Sequence, residues 1–212
     1  FEEIDHIQEL CKTQSLIPSK RPVLFVGFNR RYAPLSQKIL ESRLQHRQPI
    51  DIHYLFQAPP LPHNEWYNEP TQGGRFLGEV CHAVDWILWL MGCPLQSHII
   101  LPSLHGAADI FLYFTDSSRA HLRFQPTWRN IEPKEIVEIQ QDEWRYYIED
   151  FLQLKTFKHD SLTSCDRWKS KGHREELTAF AGAIAHPKEG EDPYGFLASA
   201  RLTLELNQKL HG

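Results

Sequence analysis

The stretch GGRFLGEVCHAVD, residues 73–85, concentrates the residue types most able to do chemistry in this chain. Two glycines close a polar loop and a helix opens at once. Free backbone N–H groups and the positive end of the helix dipole therefore meet there, which suits an anionic or hydroxyl-rich ligand. Glu79 and His82 are three residues apart and share a helix face near the loop mouth. A carboxylate can orient an imidazole and raise its basicity, as transfer of a hydroxyl proton requires. The plainer reading is that two polar residues at this spacing on a helix are usually structural. Cys81-His82 is not a nucleophile–base pair, because helix neighbours point apart.

Asn29-Arg30-Arg31-Tyr32 directly follows an apolar run, PVLFVGF at 22–28. Groups just past the carboxyl end of a buried parallel strand project into the crevice where α/β proteins hold ligands, and arginine there suits phosphate or carboxylate. A solvated turn with an ion pair would have the same composition. Trp66 and Tyr67 lie in the Pro/Asn-rich loop ahead of the helix, where they can stack on a sugar or nicotinamide ring or pin the loop to the core. His173, in Lys171-Gly172-His173, begins a later helix and faces either a cleft or solvent. His53, His98, His105 and His121 lack metal-ligand spacing, and the four cysteines form no CxxC pair. Neither a metal centre nor a disulfide framework is expected.

The elements that must position these residues can be read from periodicity. Ile4, Ile7 and Leu10 give an amphipathic helix over 2–14, and the run 22–28, apolar on both faces, reads as a strand buried on both sides. Residues 34–46 read as a helix opened by Pro34. Ile50, Ile52, Tyr54 and Phe56 alternate as a strand, residues 59–74 form a long loop, and 76–91 form the clearest helix, stopped by Gly92 and Pro94. Alternating strands follow: 95–101, a hairpin 110–114/120–124, a hairpin 134–140/144–149, and an extension over 150–157. Two helices close the chain. One spans about 171–186 with Leu177, Phe180, Ala181 and Ile184 inward, and one about 194–210 with Asp192 as N-cap.

This order predicts an α+β fold: a mainly antiparallel open β-sheet with helices on one face. It is preceded by a helix–strand unit whose buried strand has no counterpart downstream. Residues 1–33 are therefore expected to be the remnant of a second, Rossmann-type domain, and 34–212 the α+β domain. The chain begins at Phe1 and its single methionine is Met91, which fits the same expectation.

Composition excludes several classes. The 212 residues are 41% hydrophobic and 24% charged, with 23 Lys plus Arg against 27 Asp plus Glu and a net charge of −4. That is an ordinary globular composition without the basic footprint of a nucleic-acid binder. No apolar run is long enough to span a bilayer and no leader is visible, so a cytoplasmic location is expected.

Four stretches together carry a resemblance: VLFVGFNRRYAPL (23–35), W-x3-P-x2-GGR-x2-GEVCHAVD (66–85), IEDF (148–151) and KGHREELTAFAGAI (171–184). In order and spacing the chain resembles the glucose–fructose oxidoreductase/inositol dehydrogenase/MocA family of NAD(P)-dependent oxidoreductases, over nearly its whole length. It is especially similar to the bi-domain bacterial members. The resemblance implies an N-terminal Rossmann domain and a C-terminal α+β domain whose open sheet face makes a homo-oligomer. It matches His82 to the histidine beside the nicotinamide and the substrate hydroxyl, with Glu79 orienting it. It matches Arg30 and Arg31 to the paired arginines after the last Rossmann strand, expected on the cofactor side, and Trp66 to an aromatic in the loop over the active site; Asn29 and His173 are expected on the substrate side with Trp66. The family's Asp four residues before the histidine is Gly78 here, with Glu79 next door, and no GxGxxG is present. The expected activity is oxidation or reduction of a sugar, cyclitol or related hydroxyl compound, with NAD or NADP bound by the full-length protein and none by this fragment, which would be inactive. The alternative is a non-catalytic substrate-binding or oligomerisation module.

Overall fold

The computed structural model describes residues 1–15, 23–46, 48–59, 65, 74–127, 132–188, 192 and 194–211. In chain order these form α1 (Glu2–Ser15), a 3₁₀ turn (Asn29–Tyr32), α2 (Pro34–His46), β1 (Asp51–Ala58), a π turn (Phe76–Val80) leading into α3 (Cys81–Met91), β2 (Leu95–Pro102), β3 (Ala108–Phe114), β4 (Arg119–Pro126), β5 (Glu135–Gln141), β6 (Trp144–Glu149), β7 (Gln153–Lys158), β8 (Ser161–Arg167), α4 (His173–Ala185) and α5 (Phe196–His211).

Side-chain alternation sets the sheet. Ile52, Tyr54 and Phe56 of β1 are buried on one face, while Asp51 and His53 lie on the other. The eight strands run β2-β3-β4-β1-β5-β6-β7-β8. Every neighbouring pair is antiparallel except β1 and β4, which run parallel with Asp51 opposite Arg119. The inner face gathers Ile110, Leu112, Leu122, Val137, Ile148 and Leu154, all sealed from solvent. On it lies Trp86 of α3, edge-on to Tyr54 at 5.9 Å and to Phe151 at 5.3 Å, its indole N–H donating to Ser36 Oγ of α2 at 3.0 Å. Leu202 and Leu206 of α5 join the same core. Ile99 and Leu101 of β2 and Tyr113 of β3 remain exposed on the opposite face. This is the expected α+β architecture, an open sheet with helices on one side.

The helix ends follow local chemistry. Gly92 stops α3 at φ +62°, a backbone region glycine enters without Cβ strain. Asp192 caps α5, its carboxylate accepting the N–H groups of Phe196 at 3.0 Å and Leu197 at 2.6 Å.

Three expectations are corrected, and one strand is added. Among the described residues, 23–28 pair with no strand. With no neighbour to complete a ladder, the segment buries side chains instead: Phe25 packs on Phe180, Tyr194 and Phe196 with ring centroids 4.7–5.3 Å apart. In α4, Leu177, Phe180 and Ile184 are 69%, 36% and 58% exposed and Ala181 is also exposed, while Ala183 is buried. The helix is amphipathic, but its apolar stripe faces out because the sheet's inner face is already covered by α2, α3 and α5. In α1, Ile4 and Cys11 make the buried stripe, whereas Ile7 and Leu10 are exposed. Finally β8, too polar to show alternation, extends the sheet beyond β7 by backbone pairing.

Candidate functional site

The 3₁₀ turn Asn29–Tyr32 is wedged against α3 and α4, and one glycine makes this fit. Gly172 takes φ +99°, and a Cβ there would run into the Asn29 carbonyl oxygen and the Ala33 nitrogen. The close approach lets the Asn29 side-chain amide donate to the Lys171 carbonyl at 2.7 Å, while its oxygen accepts from Arg30 Nη1 at 2.7 Å.

Arg30 then reaches β5. Its Nε and Nη2 donate to the two oxygens of Glu135 at 3.2 and 2.8 Å. Tyr54 of β1 donates its hydroxyl to the same carboxylate at 2.6 Å. Lys171 Nζ stands 3.9 Å from Glu135 and 3.3 Å from Asp150. Asp150 in turn accepts the backbone N–H groups of Lys134 and Glu135. Glu135 is fully buried. Burial alone would raise its pKa, but Arg30, the Tyr54 hydroxyl and Lys171 hold it below the usual carboxylate range. Burial beside this carboxylate pushes the Tyr54 hydroxyl well above its ordinary value.

His82, one residue into α3, meets the edge of Phe28 at 5.8 Å. Its Nδ1 is closed to solvent and has no hydrogen-bond partner. Burial, with Arg30, Lys134 and His173 adding positive charge against Glu135, lowers its pKa to about 4. The imidazole is neutral at physiological pH. Burial pushes the neighbouring Cys81 thiol up to about 12, so it carries no thiolate chemistry.

Glu79 does not pair with His82. It accepts from Arg75 Nη2 at 3.3 Å, and its Oε2 lies 3.1 Å from Lys134 Nζ. The reason is local: Glu79 sits in the π turn Phe76–Val80, whose wider winding changes its angular relation to the α-helical residues that begin at Cys81. Arg31 also departs from expectation. It is buried, with Nε and Nη2 on the two oxygens of Asp85, Nη1 on the Tyr194 carbonyl, and its guanidinium 4.5 Å from the centre of the Phe196 ring. Its donors thus bolt the 3₁₀ turn to α3 and α5 and do not face a ligand. His173 is exposed at the start of α4. Trp66 lies outside the described residues.

The structure therefore gathers His82, Arg30 and Asn29 and adds Glu135, Tyr54, Lys134, Lys171 and Asp150. Glu135 had a readable signal. It shares strand parity with the buried Val137 and Ile139, and a carboxylate on a core face requires a partner. A cleft of about 550 Å³ between Trp89, Leu95 and Leu202 lies elsewhere, and His82 does not line it. Among the described residues, no group of His, Cys, Asp and Glu is arranged to hold a metal, and no helix is long and apolar enough to cross a membrane.

No family model and no curated protein matches the chain. Solved structures do. The dehydrogenase MviM from Clostridium difficile is 17% identical, with TM-score 0.69 over 95% of this chain and 66% of its own. UDP-N-acetylglucosamine 3-dehydrogenase GnnA from Acidithiobacillus ferrooxidans is 16% identical, with TM-score 0.74 over 99% and 65%. A protein assigned as an NADPH-dependent oxidoreductase from Desulfitobacterium hafniense is 15% identical, with TM-score 0.75 over 98% and 67%. The chain spans about two thirds of the length of these structures. At this level of identity the likeness shows architecture alone: nearly the whole chain shares its α+β fold with about two thirds of each of these dehydrogenase and oxidoreductase structures.

Proposed function

We propose that this chain is the substrate-side part of an NAD(P)-dependent oxidoreductase acting on a hydroxyl of a sugar, cyclitol or related compound. The observation that carries the reading is His82, a neutral imidazole held against Phe28 beside the fixed cations Arg30 and Lys134. Nδ1 is enclosed, so exchange of a hydroxyl proton falls to Nε2. Arg30, locked by Glu135 and Asn29, fixes the charge beside that proton. Arg31 holds the frame, and Asn29 joins the turn to the Lys171 backbone. Glu79 acts on the cations Arg75 and Lys134, while His173 and Trp66 are assigned to the substrate side.

The residues of this chain do not by themselves fit a dinucleotide. Its glycines include no GxG pair, and no described strand-to-helix turn offers a pyrophosphate cradle. The cofactor is therefore assigned to a longer protein, in which residues 1–33 belong to the nucleotide-binding domain and 34–212 to the substrate domain. The unpaired segment 23–28 and the outward apolar stripe of α4 support that division. When bound, the nicotinamide supplies the hydride chemistry. This chain alone is then inactive.

The open sheet face, with Ile99, Leu101 and Tyr113 exposed, supports a homo-oligomer through that face. It also favours the second reading, a binding or assembly module without turnover. The test is nicotinamide absorbance with the longer protein and a panel of sugars and cyclitols. His82→Ala is expected to lower kcat/KM by about 10²–10⁴-fold. Wild-type kcat/KM in that variant removes His82 from the chemistry, and absence of NAD(P)-linked turnover leaves the binding module.

A further inference from the structure

We propose that the ligand held beside His82 carries an anionic group, a carboxylate or a phosphate, seated on Lys134 and Arg75; this rests on the reading of His82 as ligand-facing.

Arg30 and Lys171 are matched by Glu135 and Asp150. Among the described residues, Arg75 and Lys134 pair with a single carboxylate, Glu79, one oxygen to each. The Lys134 and Lys171 side chains are 33% and 27% exposed, whereas those of Glu135 and Glu79 are 0% and 9% exposed. A ligand approaching from solvent meets the ammonium groups with the carboxylates behind them. Arg75 also keeps a buried Nε–H without a hydrogen-bond partner, and an unmade buried hydrogen bond is costly. A neutral sugar would leave these two cations on one carboxylate, whereas an anion adds a second partner through charge-assisted hydrogen bonds.

Such an anion would also act on the imidazole. Arg30 and Lys134 both depress the basicity of His82. A negative charge on Lys134 offsets that field and makes His82 a stronger base only when ligand is present. Carboxylate and phosphate share this chemistry, so the probes separate them.

The protein is titrated with D-glucose, D-glucuronate, D-glucose 6-phosphate and inorganic phosphate, and the side-chain NMR signals of Lys134, Arg75 and His82 are followed. At least one anionic probe is expected to shift the Lys134 and Arg75 signals at millimolar concentration and to raise the titration midpoint of His82. Glucuronate acting without phosphate identifies a carboxylate, and glucose 6-phosphate acting without glucuronate identifies a phosphate. Glucose is expected to leave all three signals unchanged. Lys134→Gln is expected to weaken the anion at least tenfold, and Lys134→Arg to restore it. Silence from every anionic probe, equal effects of glucose, or unchanged binding by Lys134→Gln overturns the proposal. Anion binding in a longer protein that shows no NAD(P)-linked turnover keeps this inference and removes the oxidoreductase reading. Turnover on neutral sugars alone does the reverse.

Discussion

Arg30 grips Glu135 through two nitrogens, at 3.2 and 2.8 Å, and so ties a turn near the start of the chain to the first residue of a strand 105 positions later. The carboxylate also receives the Tyr54 hydroxyl, so three elements converge on one buried group. Removing the charge leaves Arg30 buried without compensation. Glu135→Gln should cost about 3–5 kcal/mol of stability, and Tyr54→Phe, which removes one donor to an ionised acceptor, about 1.5–3 kcal/mol. Urea unfolding of the two variants checks both values, and Glu135→Gln should be the more damaging.

Arg31 is predicted to tolerate no conservative replacement. Lysine keeps the charge but cannot grip both Asp85 oxygens and the Tyr194 carbonyl at once. Arg31→Lys should lose about 2–4 kcal/mol in chemical denaturation. A loss under half a kilocalorie would show that the pair is not the bolt described.

At Gly172 the backbone rules out any side chain. With φ at +99° and the Asn29 carbonyl in the way, Gly172→Ala should cost at least about 2 kcal/mol. It should also move the amide NMR signals of Asn29 and Arg30, because the turn can make room only by shifting away from α4.

His82 makes stability depend on pH. Its folded pKa of about 4 lies below the ordinary 6.5, so the unfolded chain takes up its proton first. The contribution is present in full above pH 6.5 and is lost as pH falls toward 4, up to about 3 kcal/mol. His82→Gln removes this titration. Between pH 7 and 4.5 the variant should lose less stability than the wild type, as read by urea midpoints at each pH.

The outward stripe of α4 gives the opposite kind of prediction. Leu177→Lys and Ile184→Lys should each change the stability of this chain by no more than about 0.5 kcal/mol. In a longer protein carrying a nucleotide-binding domain against that stripe, the same changes should be plainly destabilising. Equal, small effects in both would remove α4 from the proposed domain contact.

Much of the architecture was legible because it is written in local periodicity. Alternation in β1 and β3–β6, the helical face of α3, the stop at Gly92 and the cap at Asp192 all depend on residues a few positions apart. The candidate site was legible in part. His82, Arg30 and Asn29 do assemble around one turn, and Glu79 stands beside them but pairs with Arg75 and Lys134. The pairing of Glu79 is not readable from α-helical spacing, because the chain makes a π turn there.

The order and type of most elements, the inner face of the sheet and the turn that carries Asn29 and Arg30 are thus readable along the chain. Long-range folding sets the rest: Arg30 reaches Glu135 while its neighbour Arg31 turns to Asp85, β1 pairs parallel with β4, residues 23–28 join no ladder among the described strands, and α4 shows its apolar stripe to solvent. The reason is physical. Hydrophobic periodicity fixes which side of an element seeks cover, but the partner of a buried charge, or the surface left over for a late helix, is set by chain segments far away in sequence that reach the site only when the whole sheet has formed.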